Sequence, residues 1–188
     1  MPPKVKFTRE EVIAAALEIV RSGGMTALTA RTLASRLGSS PKPVFGLFES
    51  MQQVQDEVMR AAFDVYKSFL ETEMARGKYP PYKASGMAYI DFARREKELF
   101  KLLFMRDRSA EQSQLQDDSI DGIIAIIMDK TGLSRERAAK FHQEMWLFVH
   151  GIATMIVTGY LDWDEEYVSG AVTDVFFGVL TRWQGGTA

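Results

Sequence analysis

An all-α fold follows from three observations in the sequence. Apolar residues recur at spacings of three and four through most of the 188 residues, and no stretch alternates with the period of two that a half-buried strand needs. Ser and Thr caps and Gly stops punctuate the chain at helical intervals. Residues 29–48, Thr-Ala-Arg-Thr-Leu-Ala-Ser-Arg-Leu-Gly-Ser-Ser-Pro-Lys-Pro-Val-Phe-Gly-Leu-Phe, read as two short helices around a Gly-Ser-Ser turn. The expected organisation has two parts: a three-helix head with a helix-turn-helix over residues 1–50, and a helical body over 51–188 entered through a long helix.

The first helix opens at Phe7-Thr8-Arg9-Glu10-Glu11-Val12. Thr8 and Glu11 make a capping box, and Phe7 can staple to Val12. Val12, Ala16, Ile19 and Val20 share one face, and Gly23-Gly24 ends the helix. Thr29 caps the second helix, with Leu28 stapled to Leu33, and Leu33, Ala34 and Leu37 form its buried stripe. Gly38 stops that helix where a positive φ is wanted. Ser40 is placed to cap a third helix, with Pro41 at its first position, where a missing N–H costs nothing. Val44, Phe45 and Phe48 are expected to anchor it, leaving Ser40, Pro41 and Lys42 outward. A helix pair of this layout offers the start of its second helix to the DNA major groove. The candidate contacts are Thr29, Arg31, Ser40, Pro41, Lys42, Pro43, Phe45 and Gly46.

Ser50-Met51-Gln52-Gln53 is a further capping box and starts a long helix running to about Arg76. Pro80-Pro81 closes it, since neither residue can continue a helix. Helices are expected over about 82–95 and 96–106, then a polar, mobile loop over 107–116 and a helix over roughly 117–130. Gly132-Leu133-Ser134 stops that helix and caps the next. Two long helices, about 135–161 and 165–184, finish the chain, with Asp164, Glu165 and Glu166 at the second one's N-terminus, where the dipole favours negative charge. From Val168 to Trp183 the apolar and small residues wrap nearly all round, so this helix needs burial on more than one side. Gly170, Asp174 and Gly178 recur every four residues, as do Thr154 and Thr158 on the helix before. These five are the candidate dimer contacts, in a two-fold four-helix bundle.

The net charge of −2 divides unevenly. Lys4, Lys6, Arg9, Arg21, Arg31, Arg36 and Lys42 face Glu10, Glu11, Glu18 and Glu49 in the first fifty residues, a net of +3, which leaves −5 for the remainder. Positive charge therefore collects on the head, where phosphates would lie. With no Cys there is no disulfide, thiol nucleophile or thiolate metal site. The only histidines, His142 and His150, stand two turns apart on one helix, about 12 Å, too far to share a metal. No phosphate loop, paired carboxylate or nucleophile elbow is present, so neither an enzyme nor a cofactor is expected. No apolar run reaches the ~18 residues of a membrane span and no signal-peptide core opens the chain, so a soluble, cytoplasmic protein is expected. His150 reads either as a hydrogen-bonded core residue or as the polar anchor of a pocket.

The order of elements over residues 8–54 resembles the DNA-binding head of TetR-family transcriptional regulators. A first helix is followed by Gly-Met-Thr-Ala-Leu-Thr, Leu-Ala-x-x-Leu-Gly and Pro-x-x-Val-Phe-x-x-Phe. The resemblance implies a homodimer that binds a palindromic double-stranded operator, most often as a repressor, and releases it when a small effector enters the body. It also implies an effector cavity. Phe and Met are abundant in the body, and a pocket for a mainly hydrophobic molecule is expected around Phe104, Met128, Trp146 and His150. The chain departs from the family pattern at Phe45, Leu47 and Met51, where such heads usually carry Tyr, His and Lys. That departure leaves an alternative reading, a helical dimeric interaction module that has lost operator binding.

Overall fold

The computed structural model describes residues 7–107 and 120–185. Lys4 and Lys6, the expected loop beyond residue 107 and the expected helix start at 117 lie outside the described residues. Among those described there are nine α-helices and no strand, which is the all-α class the sequence implies. They fall into two compact units: Met1–Ser68 with Glu96–Arg106, and Phe69–Arg95 with Asp107–Ala188.

The first unit starts with α1 (Arg9–Gly23), opened by the expected box. The Glu11 N–H donates to Thr8 Oγ1 at 3.1 Å, and the Thr8 N–H donates to Glu11 Oε2 at 2.9 Å. A 3-10 turn, Met25–Ala27, leads to α2 (Ala30–Arg36), where Thr29 and Thr32 exchange the same pair of bonds. Gly38 at φ +60° reverses the chain, and the Ser39 N–H closes the turn on Ala34 O at 2.9 Å. The next helix, α3, is a single turn, Lys42–Phe45, followed by α4 (Met51–Arg76). From later in the sequence, α6 (Lys97–Phe104) packs against α1. Val12, Ala16, Val20, Leu33, Val44, Phe48, Val54, Val58, Leu99 and Phe100 form the dry core of this unit.

Two expectations for the head are corrected. Pro41 occupies the cap position of α3 and makes no side-chain cap, so the helix begins one residue later than expected and Ser40 caps nothing. Phe45 does not anchor the turn: it is 46% exposed, while Val44 and Phe48 are buried. A one-turn helix followed by a second turn at 46–47 directs only two of the three apolar side chains inward.

The second unit is built around α8 (Arg135–Val157), which packs on α5 (Pro81–Arg95), α7 (Asp121–Thr131) and α9 (Glu165–Gly185). Ala138, Phe141, Met145, Val149, Ala153 and Ile156 line its buried face. The helix ends four residues before the expected Leu161. Gly159 turns at φ +71° and the Tyr160 N–H reaches back to Met155 O at 3.0 Å. Asp164 then caps α9, accepting from the Tyr167 N–H at 2.7 Å. Arg94 braces the connection through Asp162 Oδ1 at 3.0 Å and Trp163 O at 2.8 Å.

Candidate functional site

Three kinds of arginine and lysine separate on the first unit. Arg9 is held inside the fold: its guanidinium lies 4.2 Å from the centre of the Phe48 ring, donates to Leu47 O at 2.6 Å and pairs with Glu57 at 3.2 Å. It clamps α1 to the turn that follows α3 and to α4. Arg21 donates to Glu96 Oε2 at 3.0 Å and to Glu18 Oε1, tying α1 to the start of α6. These carboxylates raise the Arg21 pKa against the opposing effect of burial, the largest single influence on it. By contrast Arg31, Arg36 and Lys42 are exposed and make no ion pair or hydrogen bond among the described residues. All three stand on or beside the helix-turn-helix, two at either end of α2 and one at the start of α3.

The other expected contacts also lie outward. Thr29, Ser40, Pro41, Phe45 and Gly46 are exposed and Pro43 is half-buried. Thr29 has a structural duty as well, since its hydroxyl accepts from the Thr32 N–H at 3.1 Å. At the start of α4 the box is displaced by one residue. Gln53 N–H donates to Ser50 Oγ at 3.3 Å, but the Gln53 side chain accepts from the Glu49 N–H at 2.8 Å rather than from Ser50. Arg36 was counted in the charge of the head but not among its contacts; its place in the last turn of α2, with no acidic residue three or four positions away, was the available signal.

The expected pocket residues are divided between the two units, Phe104 in the first and Met128, Trp146 and His150 in the second. Trp146 stacks on His150 with ring centroids 4.8 Å apart and planes 17° from parallel. The Tyr89 hydroxyl lies 2.8 Å from His150 Nδ1, and a second pair, Tyr82 with His142 at 3.0 Å, repeats the arrangement two turns earlier on α8. Burial lowers both imidazole pKa values and raises that of the Tyr82 phenol. Met128 is 37% exposed on α7. Phe104 belongs to the first unit, where it packs against Tyr66 and Phe100. A cleft of about 400 Å³ opens elsewhere in the second unit, lined by Thr131, Gly132, Leu133, Ser134, Arg137, Trp183 and Gln184, none of them an expected pocket residue.

On α8 and α9 the outward faces carry Leu147 and Phe177, each 60% exposed, with Met155 at 37%. Gly170, Asp174, Gly178 and Thr158 are exposed and Thr154 is half-buried. A Cβ added at Gly151, Gly170 or Gly178 would meet nothing within 4 Å. Among the described residues no group of three or more acidic, His or Cys side chains is placed to hold a metal. No helix of the described residues is long and apolar enough to cross a membrane.

Comparison with known proteins agrees with this architecture. Residues 82–175 match the family model for the tetracyclin repressor-like C-terminal domain. A solved structure from Vibrio parahaemolyticus, of a protein assigned to the TetR family of transcriptional regulators, superposes with a TM-score of 0.63 at 13% identity, over 93% of this chain and 98% of that one. At that identity the likeness speaks to the fold. No curated protein matches the chain in sequence.

Proposed function

Since the chain belongs to the tetracyclin repressor-like transcriptional regulators, we propose that it binds a palindromic DNA operator as a homodimer and leaves it when a small molecule occupies the body. In this reading residues 1–50 are the DNA-binding head and 51–188 the effector-binding and dimerisation body. The observation that carries the proposal is the set of unpaired, exposed cations Arg31, Arg36 and Lys42 around the helix-turn-helix. Cations that pair with nothing in the protein are available to phosphates, and each neutralised phosphate releases counterions. Arg31 and Lys42, with Thr29, Ser40 and Pro41, position the recognition turn, while Phe45 and Gly46 lie where a base edge would pass.

A dimer follows from the second unit. Leu147, Met155 and Phe177 leave apolar area exposed on α8 and α9, and the open space before Gly170 and Gly178 suits a close helix crossing. Operator binding by such a dimer requires its two heads to reach successive major grooves, about 34 Å apart. Trp146, His150 and Tyr89 supply the aromatic wall and polar anchor of an effector region in the same unit. The contact of α6 with α1, reinforced by Arg21 and Glu96, gives effector-driven movement in the chain before α6 a path to the head.

The test is electrophoretic retardation with the DNA upstream of the chain's own coding sequence, alongside sites selected from random duplexes. A discrete complex at nanomolar protein, lost in the Arg31→Ala, Lys42→Ala variant, is the expected result. Phe45 and Met51 favour a second reading, a dimeric interaction module without operator binding, because neither supplies a charged or hydrogen-bonding contact to a phosphate. Failure to select any DNA sequence would favour it.

A further inference from the structure

Glu73 is the charged side chain that the fold buries, at 7% exposure, among the described residues. It ends a series on α4 at Val54, Val58, Ala62, Tyr66, Phe69 and Glu73, spaced by three and four so that all six share one helix face. The sequence thus places a carboxylate where an apolar residue would complete the face. One turn earlier, Phe69 meets Phe92 edge to face at 5.4 Å. The carboxylate is half satisfied: Oε2 accepts from Arg76 Nη1 at 2.9 Å, whereas Oε1 is sealed from solvent and accepts from nothing among the described residues. The Arg76 pair does not account for the burial. An i,i+3 pair forms equally well at a surface, and the Arg76 side chain remains 53% exposed.

A buried carboxylate oxygen without a donor is held at a cost unless something else supplies the donor. We propose that Glu73 Oε1 is the acceptor for an amphiphilic organic cation, a protonated amine on an apolar body, and that this is the class of molecule the second unit recognises. The proposal rests on the effector-binding reading above and gives it a chemistry. An ammonium group brings the missing N–H and opposes the negative charge at once. A neutral alcohol brings only a donor, and a carboxylate would be repelled. The Arg76 charge, half in water, is screened, while Oε1 lies in a low-dielectric setting where its field is stronger. Phe69, one turn before Glu73, and Phe92 against it are the aromatic surfaces beside this face, and they suit the apolar part of such a molecule.

The experiment compares phenylbutylamine, phenylbutanol and phenylbutanoate, with a naphthyl series of the same three head groups, by thermal shift and calorimetry on the full chain without DNA. The amines should bind at least about tenfold more tightly than the matching alcohols, and the carboxylates should not bind. Glu73→Gln keeps the shape and should abolish the preference for amines; Glu73→Leu, which completes the apolar face, serves as a second variant. Equal binding of amine and alcohol, absence of binding by both series, or a preference for amines that survives in Glu73→Gln would each overturn the proposal. So would collapse of both variants, since the carboxylate would then be structural. An amine that binds through Glu73 yet leaves operator affinity unchanged would uphold the site and refute the effector role.

Discussion

Replacing Arg31 and Lys42 together by Ala separates recognition from folding, because the two side chains are exposed and unpaired. Their loss removes no intramolecular contact, so the change in unfolding free energy should stay within about 0.5 kcal/mol. DNA binding should respond very differently. If each cation neutralises one phosphate, the slope of log K against log salt falls by about 0.9 per contact, so by about 3.6 for the four contacts of a dimer. Between roughly 50 and 200 mM salt that slope amounts to about 150-fold in affinity, which the parent should lose and the variant should not. Fluorescence anisotropy with a selected operator across that range reads the effect directly. A fall of about 1.8 instead would mean that only two of the four contacts form. Arg9→Ala is the contrasting control. It should cost about 1–2 kcal/mol in a denaturant titration, through the lost stacking on Phe48 and the lost bond to Leu47 O, with an unchanged salt slope in the folded protein. An unaltered slope in the double variant, with binding retained, would refute the assignment of the recognition turn.

Other outcomes follow from the second unit. Gly178→Arg should convert a dimer to monomer or precipitate in sedimentation, yet leave the helical content of each protomer intact, because a Cβ there meets nothing within 4 Å; a dimer that persists would move the interface elsewhere. Gly159→Ala should destabilise the protein by about 1 kcal/mol, since φ is +71° there, and thermal melts would show it. Acid should also loosen this unit. Burial lowers the His142 and His150 pKa values in the folded chain from 6.5, so the unfolded chain binds more protons below that pH. Stability contributed by the neutral imidazoles is therefore full above about pH 6.5 and declines as pH falls beneath it. His142→Gln, His150→Gln should flatten the stability profile below about pH 6.5, and an unchanged profile would show that other groups govern acid sensitivity.

The elements that were legible in the sequence are those fixed by local chemistry. The Thr8–Glu11 box, the Thr29 cap, the Gly38 turn and the Ser134 cap all involve residues within five positions of one another, and each sits where the sequence implies; Pro80-Pro81 does not act as the stop, since α4 already ends at Arg76 before Gly77 at φ +63° and Pro81 opens α5. The errors arose where a local rule had two solutions. Ser40 followed by Pro41 satisfies a cap-then-proline pattern, but Pro43 also fits a first-turn position, and the structure uses the later register. The end of α8 was placed too late because Met155, Ile156 and Val157 continue the apolar spacing, whereas Gly159 outweighs it by adopting a conformation that other residues resist.

The sites were less legible for a different reason: charge says nothing about pairing until distant segments meet. Arg9, Arg31 and Lys42 look alike in the sequence, and all contribute to the excess of positive charge on the first fifty residues. The fold distinguishes them. Arg9 finds Glu57, 48 positions away, and a carbonyl 38 positions away, so its charge is spent on holding α1 in place. Arg21 is likewise bound, to Glu96, 75 positions away. Among the described residues of the first fifty, the cations left exposed and unpaired are Arg31, Arg36 and Lys42, all on or beside α2 and α3. The same holds for the polar groups of the second unit. His150 became interpretable only when Tyr89, 61 positions earlier, proved to be its partner. Glu73 is not legible in the sequence, because an acidic residue near a helix end is ordinarily solvated, and only its buried, unshared oxygen marks it out. The recognition proposed above would rest on what the fold leaves over: the exposed cations of α2 and α3, and the one Glu73 oxygen that Arg76 does not reach.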